Sequence, residues 1–332
     1  MPDGCQESLK HSKIRNKRSA VNDLLFLTLP VDKNEKAMNC KNLIIFGEVL
    51  YDCFPDGETV LGGAPFNVAW HLQAFGQSPC FVSRVGLDSE GEAILETMSE
   101  WGMETKAVQQ DPQHPTGKVK ISLNKGEPSY EIVADAAYDF IDPEPLQQAA
   151  CDTLYHGSLG LRNPTARNAL DQLKSNGARQ IFLDVNLRPP WWKTEEILAW
   201  SAQADWVKLN QHELALLQGQ SSDLLAQARR FKAAYDLQGV IVTRGEKGAV
   251  VLADDLHDPF EVVPESTQET VDTVGAGDAF TSVILLGLME QWPMEVSLKR
   301  AQAFASAIVG QRGATVSSAT FYMDIMAQWS ME

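Results

Sequence analysis

From about residue 41 onward, short runs of β-branched and aliphatic residues alternate with longer helical patterns, and that alternation leaves few architectures open. NLIIFGE is followed by NVAWHLQAFG, CFVSRVG and SEGEAILETMSEWG, and the rhythm resumes through DTLYHGS, RQIFLDVN, DWVKLN and GVIVTRG. Strand–helix–strand units of this kind build a mostly parallel sheet covered by helices. In open sheets of that class ligands collect at the carboxyl ends of the strands. The polar or glycine-bearing turns that close these runs are therefore where chemistry is expected.

Two segments break the rhythm. Residues 51–62 (YDCFPDGETVLG) and 116–133 (TGKVKISLNKGEPSYEIV) carry hairpin signals, with Asp56–Gly57 and Lys125–Gly126 as turn centres and period-2 patterning in KVKISL. They read either as strands of a small second sheet or as surface hairpins.

The chain is 44% hydrophobic and 22% charged, enough apolar material for one large domain or a main domain with a small appendage. Its net charge of -16 argues against nucleic acid or an anionic membrane as a partner, so a bound polyanion must be held by local donors. The five cysteines are widely spaced, with no CxxC pair and no zinc-ligand spacing, which suggests reduced thiols in a cytoplasmic protein. No stretch approaches the roughly 20 apolar residues that span a bilayer. Residues 1–40, where basic residues precede a short LLFL patch, read as a flexible N-terminal extension rather than an export signal.

VDTVGAGDAFTSVILLGLME (271–290) sets two glycines and an aspartate directly against an apolar run. Gly275, Ala276 and Gly277 leave backbone N–H groups open to an incoming group, and the run after them reads as a buried helix. Those donors then stand at a helix amino end, where the dipole also favours negative charge. Asp278 in the first turn has two readings: a helix cap, or a base beside an anion hole, the pairing that phosphoryl transfer to an alcohol needs. The string is no dinucleotide fingerprint, because its sixth residue is Phe280 and no acidic residue closes a strand some 20 residues later. No GxxxxGK[ST] loop occurs in the chain.

DTVGAGDAF resembles the carboxyl-terminal signature of the ribokinase-like, phosphofructokinase-B-type (PfkB) carbohydrate kinases. GGAPFNVAWHLQAFG (62–76) resembles their amino-terminal signature, particularly as fructokinases carry it. The resemblance runs from about Asn42 to the end. It implies a ribokinase-like three-layer α/β/α core over residues 41–332, with a small β-sheet lid built from about 51–62 and 116–133 that folds over the sugar. It also implies a homodimer through the lid, with Phe54, Val60, Ile121, Tyr130 and Ile132 as the apolar face, and Tyr138 and Phe140 packing near sugar.

Carried over residue by residue, the resemblance makes Asp278 the catalytic base, with Gly275, Ala276 and Gly277 as the anion hole. Asp52 in GEVLYD, Gly62, Gly63 and Asn67 become sugar-binding residues; on its own, Asn67 reads as a helix cap and the glycines as a turn. In DVNLRPPWW (184–192), Arg188 either neutralises substrate or phosphate charge or anchors its loop through a carboxylate, and Asn186 contacts either ligand. Arg84, Gly86, Asp88 and Gly91 in SRVGLDSEG are expected to be mainly structural. Asn210 and Glu213 in VKLNQHE match the family's NxxE element. Asn210 would face the phosphates and Glu213 would help hold Mg²⁺ through water; the competing reading is a capping asparagine with a first-turn glutamate. Thr243, Gly245 and Gly248 would line the nucleotide phosphates together with Gly277. Asp272 is a candidate ligand for a monovalent cation such as K⁺. The small-residue helix AQAFASAIVG either borders adenine or packs closely on a neighbour.

The implied activity is an ATP- and Mg²⁺-dependent sugar kinase, with fructose giving fructose 6-phosphate as the leading substrate. The alternatives are another sugar or nucleoside (ribose, 2-keto-3-deoxygluconate) and a non-catalytic sugar sensor on the same fold.

Overall fold

Apolar runs of four or five residues become strands where they can be buried on both faces, and the computed structural model, which describes residues 42–124, 127–264 and 273–330, follows that rule closely. In chain order the elements are β1 (Leu43–Phe46), β2 (Leu50–Cys53), β3 (Thr59–Gly62), α1 (Ala64–Ala74), β4 (Cys80–Gly86), α2 (Ser89–Glu100), β5 (Val108–Asp111), β6 (Gly117–Asn124) and β7 (Glu127–Ile132). Then come β8 (Thr153–His156), α3 (Pro164–Ser175), β9 (Gln180–Asp184), α4 (Thr194–Ser201), β10 (Trp206–Asn210), α5 (Gln211–Gln218), α6 (Leu224–Ala234) and β11 (Gly239–Thr243). The chain ends through β12 (Ala249–Ala253), β13 (Phe260–Val262), α7 (Ala276–Met289), α8 (Met294–Val309) and α9 (Ala319–Trp329).

Nine of these strands form one sheet in the order β13-β12-β11-β10-β9-β8-β1-β4-β5. From β11 to β5 every neighbouring pair is parallel, while β12 and β13 add an antiparallel edge. The chain leaves β1 first toward β4 and β5, then returns to β8 and winds the other way. The crevice between β1 and β8 is therefore the topological switch point, where open α/β sheets bind ligands.

The two interrupting segments pair into a second sheet, β3-β2-β6-β7. Register puts Asp52, Val60, Val119 and Ile132 on one face, continued by the pair Ile121 and Tyr130. Leu50, Val119, Tyr138 and Leu159 form a small core beneath that face. Asp56–Gly57 makes the expected turn, with the Gly57 N–H donating to the Phe54 carbonyl at 3.1 Å. The Lys125–Gly126 turn, residues 1–41 and Asp272 lie outside the described residues.

Helices α7 and α8 cover one face of the large sheet and pack closely, with the Ser297 hydroxyl against Gly287. The small residues Ala301 and Ala305 are buried in that core. Among the described residues Cys53 and Cys151 are free thiols. Among the described residues no helix is long and apolar enough to cross a membrane.

Candidate active site

The carboxyl ends of β1, β9, β10 and β11 lie along one edge of the large sheet, and the chemically equipped turns follow from them. Glu48 lies two residues beyond β1, Asp184 closes β9, and Asn210 and Thr243, partners in register, close β10 and β11.

The start of α7 has no side-chain cap, and the Ala276 N–H makes only a long 3.5 Å bond to the Thr273 carbonyl. Gly275 is the N-cap residue of α7 at φ +78, a left-handed conformation that glycine adopts without strain. A Cβ there would stand 2.4 Å from Ala314 Cα, so the residue also admits the close approach of the 313–316 loop. No side chain caps this helix, whereas Asp88, Asn163, Asn210 and Asp223 cap α2, α3, α5 and α6. The reading of Asp278 as a helix cap therefore fails.

Instead, the Asp278 Oδ2 atom accepts a hydrogen bond from Asn67 Nδ2 at 2.8 Å. Asn67 is fixed by α1, whose first residues follow Gly62 and Gly63. Gly63 sits at φ +112, and a Cβ on it would reach within 2.7 Å of the Glu48 carbonyl oxygen. The glycine pair thus lets α1 begin against the β1 turn and deliver Asn67 to Asp278. Burial pushes the Asp278 carboxyl up to about 6, against the opposing pull of the Asn67 hydrogen bond and of Lys208.

Lys208 and Asp184 stand opposite each other in register on β10 and β9, both buried, with Nζ 2.9 Å from the nearer carboxylate oxygen. Thr281 of α7 donates to the same Asp184 oxygen at 2.9 Å, and Lys208 Nζ lies 3.5 Å from the Gly277 carbonyl. This network ties the first turn of α7 to the sheet. Burial lowers the Lys208 ammonium, but the Asp184 carboxylate outweighs that and leaves it above its ordinary value.

Arg188 projects from the loop after β9. It is exposed and makes no ion pair or side-chain hydrogen bond among the described residues, so it does not anchor its loop through a carboxylate. Its charge is felt by Glu48, Asp52 and Asp278 together. Burial raises the Asp52 carboxyl, partly offset by Arg188. Asp52 Oδ2 lies 3.6 Å from where a Cβ on Gly62 would stand, so these two expected sugar-site residues face each other.

Asn210 Oδ1 accepts from the N–H groups of His212 and Glu213, both at 2.9 Å, and caps α5. Glu213 answers with Oε2 on the Asn210 N–H and Oε1 on the Leu187 N–H, both at 2.8 Å. The NxxE pair is thus a capping box that also clamps the loop carrying Arg188. Gly248 turns the chain from the 3₁₀ segment at Gly245–Lys247 into β12, beside Thr243. Arg84 is tied to Asp111 at 3.0 Å and to the Phe140 carbonyl at 2.6 Å, and Asp88 to Gly91 and Thr116, so that segment is structural. Tyr138 is fully buried, and Phe140 stacks on His114 rather than facing open space.

Glu48, Asp184, Lys208 and Thr281 were not singled out from the sequence. A charge inside an apolar strand is costly unless it is paired, so the Asp in IFLDV and the Lys in WVKLN do signal each other.

Compared with known proteins, residues 41–320 match the family described as pfkB family carbohydrate kinase. A fructokinase of Klebsiella pneumoniae is 31% identical over 260 residues, covering 74% of this chain and 83% of the relative. A deoxyribokinase of Salmonella typhi is 27% identical over 261 residues, covering 76% and 82%. Among solved structures, the fructokinase of Vibrio cholerae O395 in its fructose, ADP and calcium ion bound form is similar with a TM-score of 0.72 and 26% identity, over 86% of this chain and 98% of that one.

Proposed function

Because the chain belongs to the pfkB family of carbohydrate kinases, we propose that it transfers the γ-phosphoryl group of ATP to D-fructose, giving fructose 6-phosphate. The observation that carries this reading is Asp278, a carboxylate in the first turn of a helix with no side-chain cap, held by Asn67 beside backbone N–H groups of which that of Ala276 makes only a long 3.5 Å bond to the Thr273 carbonyl. Fructose is favoured over other sugars by the fructokinase relative and by the neighbour solved with fructose and ADP.

In this reading Asp52, Gly62, Gly63, Asn67 and Arg188 hold the sugar under the small sheet. Asp278 takes the proton of the reacting hydroxyl as its oxygen bonds to the γ-phosphorus and the bond to the β-phosphate oxygen breaks, leaving ADP. The N–H groups of Gly275, Ala276 and Gly277 and the α7 dipole meet the charge on the transferring group. Asn210, Thr243, Gly245 and Gly248 lie along the sheet edge where the nucleotide phosphates would run. Bound Mg²⁺ would neutralise phosphate charge. Both Glu213 oxygens are engaged by backbone N–H groups, which fits a role through water rather than direct ligation. Among the described residues no group of three or more His, Cys, Asp or Glu side chains is placed to hold a metal by itself. Asp272 remains the candidate for a monovalent cation. Residues 41–332 are taken as the kinase domain and 1–40 as an extension, working in the cytoplasm.

A coupled ADP-release assay over fructose, ribose, 2-deoxyribose and 2-keto-3-deoxygluconate tests the reading. The expected outcome is turnover with a kcat/KM for fructose at least tenfold above the others. Fructose binding without ADP release would identify a sensor instead.

The partner reading is a homodimer through the lid. Phe54 and Tyr130 are 36% and 63% exposed, and Tyr130 lies on the same sheet face as Val60, Ile121 and Ile132. Sedimentation at micromolar concentration should give a dimer that Tyr130→Glu dissociates; a monomer in the unaltered protein removes this reading.

A further inference from the structure

Glu48 is a carboxylate that the activity has not yet accounted for. It follows β1, is 3% exposed, and its Oε2 atom has no hydrogen-bond partner among the described residues. An unpartnered buried carboxyl oxygen is costly, so the fold retains it against a penalty. The surroundings are built rather than accidental. Glu48 lies beyond the end of β1 and Gly160 beyond the end of β8, the two strands that flank the switch point, and a Cβ on Gly160 would stand 3.2 Å from that same Oε2. Gly63 abuts the Glu48 carbonyl from the other side.

Three further buried oxygens nearby also lack partners. Asn67 Oδ1 is one, on the side chain whose Nδ2 already holds Asp278, and the hydroxyls of Tyr138 and Tyr155, both of which feel the Glu48 charge, are the others. Orphaned oxygens of three kinds, carboxyl, amide and phenol, match the mixed donors and acceptors of a polyol.

We propose that Glu48 is a further sugar-binding residue, acting as a neutral carboxyl whose free oxygen donates a hydrogen bond to a substrate hydroxyl. The proposal rests on the sugar-kinase reading and deepens it. The charged and titratable groups around Glu48 come from five elements: Arg188 on the loop after β9, Asp278 on α7, Tyr138 on the 3₁₀ segment after β7, Tyr155 on β8, and Arg162 ahead of α3. Burial raises the carboxyl to about 7; the backbone N–H groups of Glu48 and Gly160 and the Arg188 charge oppose that, and the Asp278 charge adds to it. The Asp278 carboxyl is also raised by burial, to about 6, but the Asn67 hydrogen bond and Lys208 favour its charged form. Charge on Asp278 in turn favours keeping the proton on Glu48, so the two environments divide the labour between a carboxylate that takes a proton and a carboxyl that donates a hydrogen bond.

The test measures D-fructose binding by calorimetry at pH 6 and pH 8.5, with ADP release in parallel, for the unaltered protein, Glu48→Gln and Glu48→Ala. Binding to the unaltered protein should weaken about tenfold at the higher pH as the donor is lost. Glu48→Gln, which keeps a donor that does not titrate, should bind within about threefold of the unaltered protein at pH 6 and show no such pH dependence. Glu48→Ala should weaken binding on the order of 10- to 100-fold at pH 6. If the unaltered protein phosphorylates fructose while Glu48→Ala binds it equally well, or Glu48→Gln keeps the full pH dependence, the Glu48 assignment is overturned and the kinase reading stands. An unaltered protein that neither binds nor phosphorylates fructose overturns both.

Discussion

Asp278→Asn should lower kcat for sugar phosphorylation by roughly 10² to 10⁴, the range typical for removing a general base. The substitution keeps the shape of the side chain, and its amide oxygen can still accept the 2.8 Å hydrogen bond from Asn67. Sugar affinity should therefore stay within about threefold of the parent. The melting temperature should not fall, because a buried charge is removed while its hydrogen bond is kept. Initial rates, calorimetric binding and thermal unfolding on one preparation separate these effects. Loss of binding and stability together with rate would show that Asp278 holds the fold rather than performs the chemistry.

The second large effect concerns the network beneath the same helix. Asp184→Ala leaves the Lys208 ammonium buried and unpaired, and breaking such a pair costs about 3–5 kcal/mol. That is a large part of the roughly 5–15 kcal/mol by which domains are stable. Urea unfolding should show the midpoint falling accordingly. Replacing both partners with apolar residues, Asp184→Leu with Lys208→Met, should recover most of that stability, since buried pairs often contribute little net. It should not recover phosphoryl transfer, because Thr281 and the Gly277 carbonyl lose the groups that tie the α7 start to β9 and β10. A double variant with full activity would show the network to be a packing device alone.

Periodicity made the large sheet legible, because a strand buried on both faces must be an unbroken apolar run and a covering helix must carry an apolar stripe. The second sheet was legible only as two hairpins. Its assembly depends on β2 pairing with β6 across more than sixty intervening positions, a contact that no local pattern encodes. At the candidate site, GAGD marked Asp278 because glycines against a polar residue at a helix start are a local signal, whereas Asn67, Gly62 and Gly63 entered only through the family resemblance, since alone they read as a cap and a turn. The direct bond between Asn67 and Asp278 was not legible, since it joins residues 211 positions apart. Glu48 was overlooked because a single acidic residue after a strand looks like any turn residue until burial and a missing partner are known. For Asn210 and Glu213 the motif left two readings open, a ligand site and a helix cap; the structure shows a capping box whose glutamate also braces the Arg188 loop, and the ligand role is left to experiment.

The most direct test of the central claim is the pH dependence of kcat/KM for fructose, measured on the parent and on Asp278→Asn. The base works only when ionised, and burial places its carboxyl at about 6. Parent activity should therefore fall tenfold per unit as pH drops below about 6, while the small residual activity of the variant shows no such limb. A parent rate that stays level down to pH 4.5, or an identical acid limb in the variant, would contradict the assignment of Asp278 as the base.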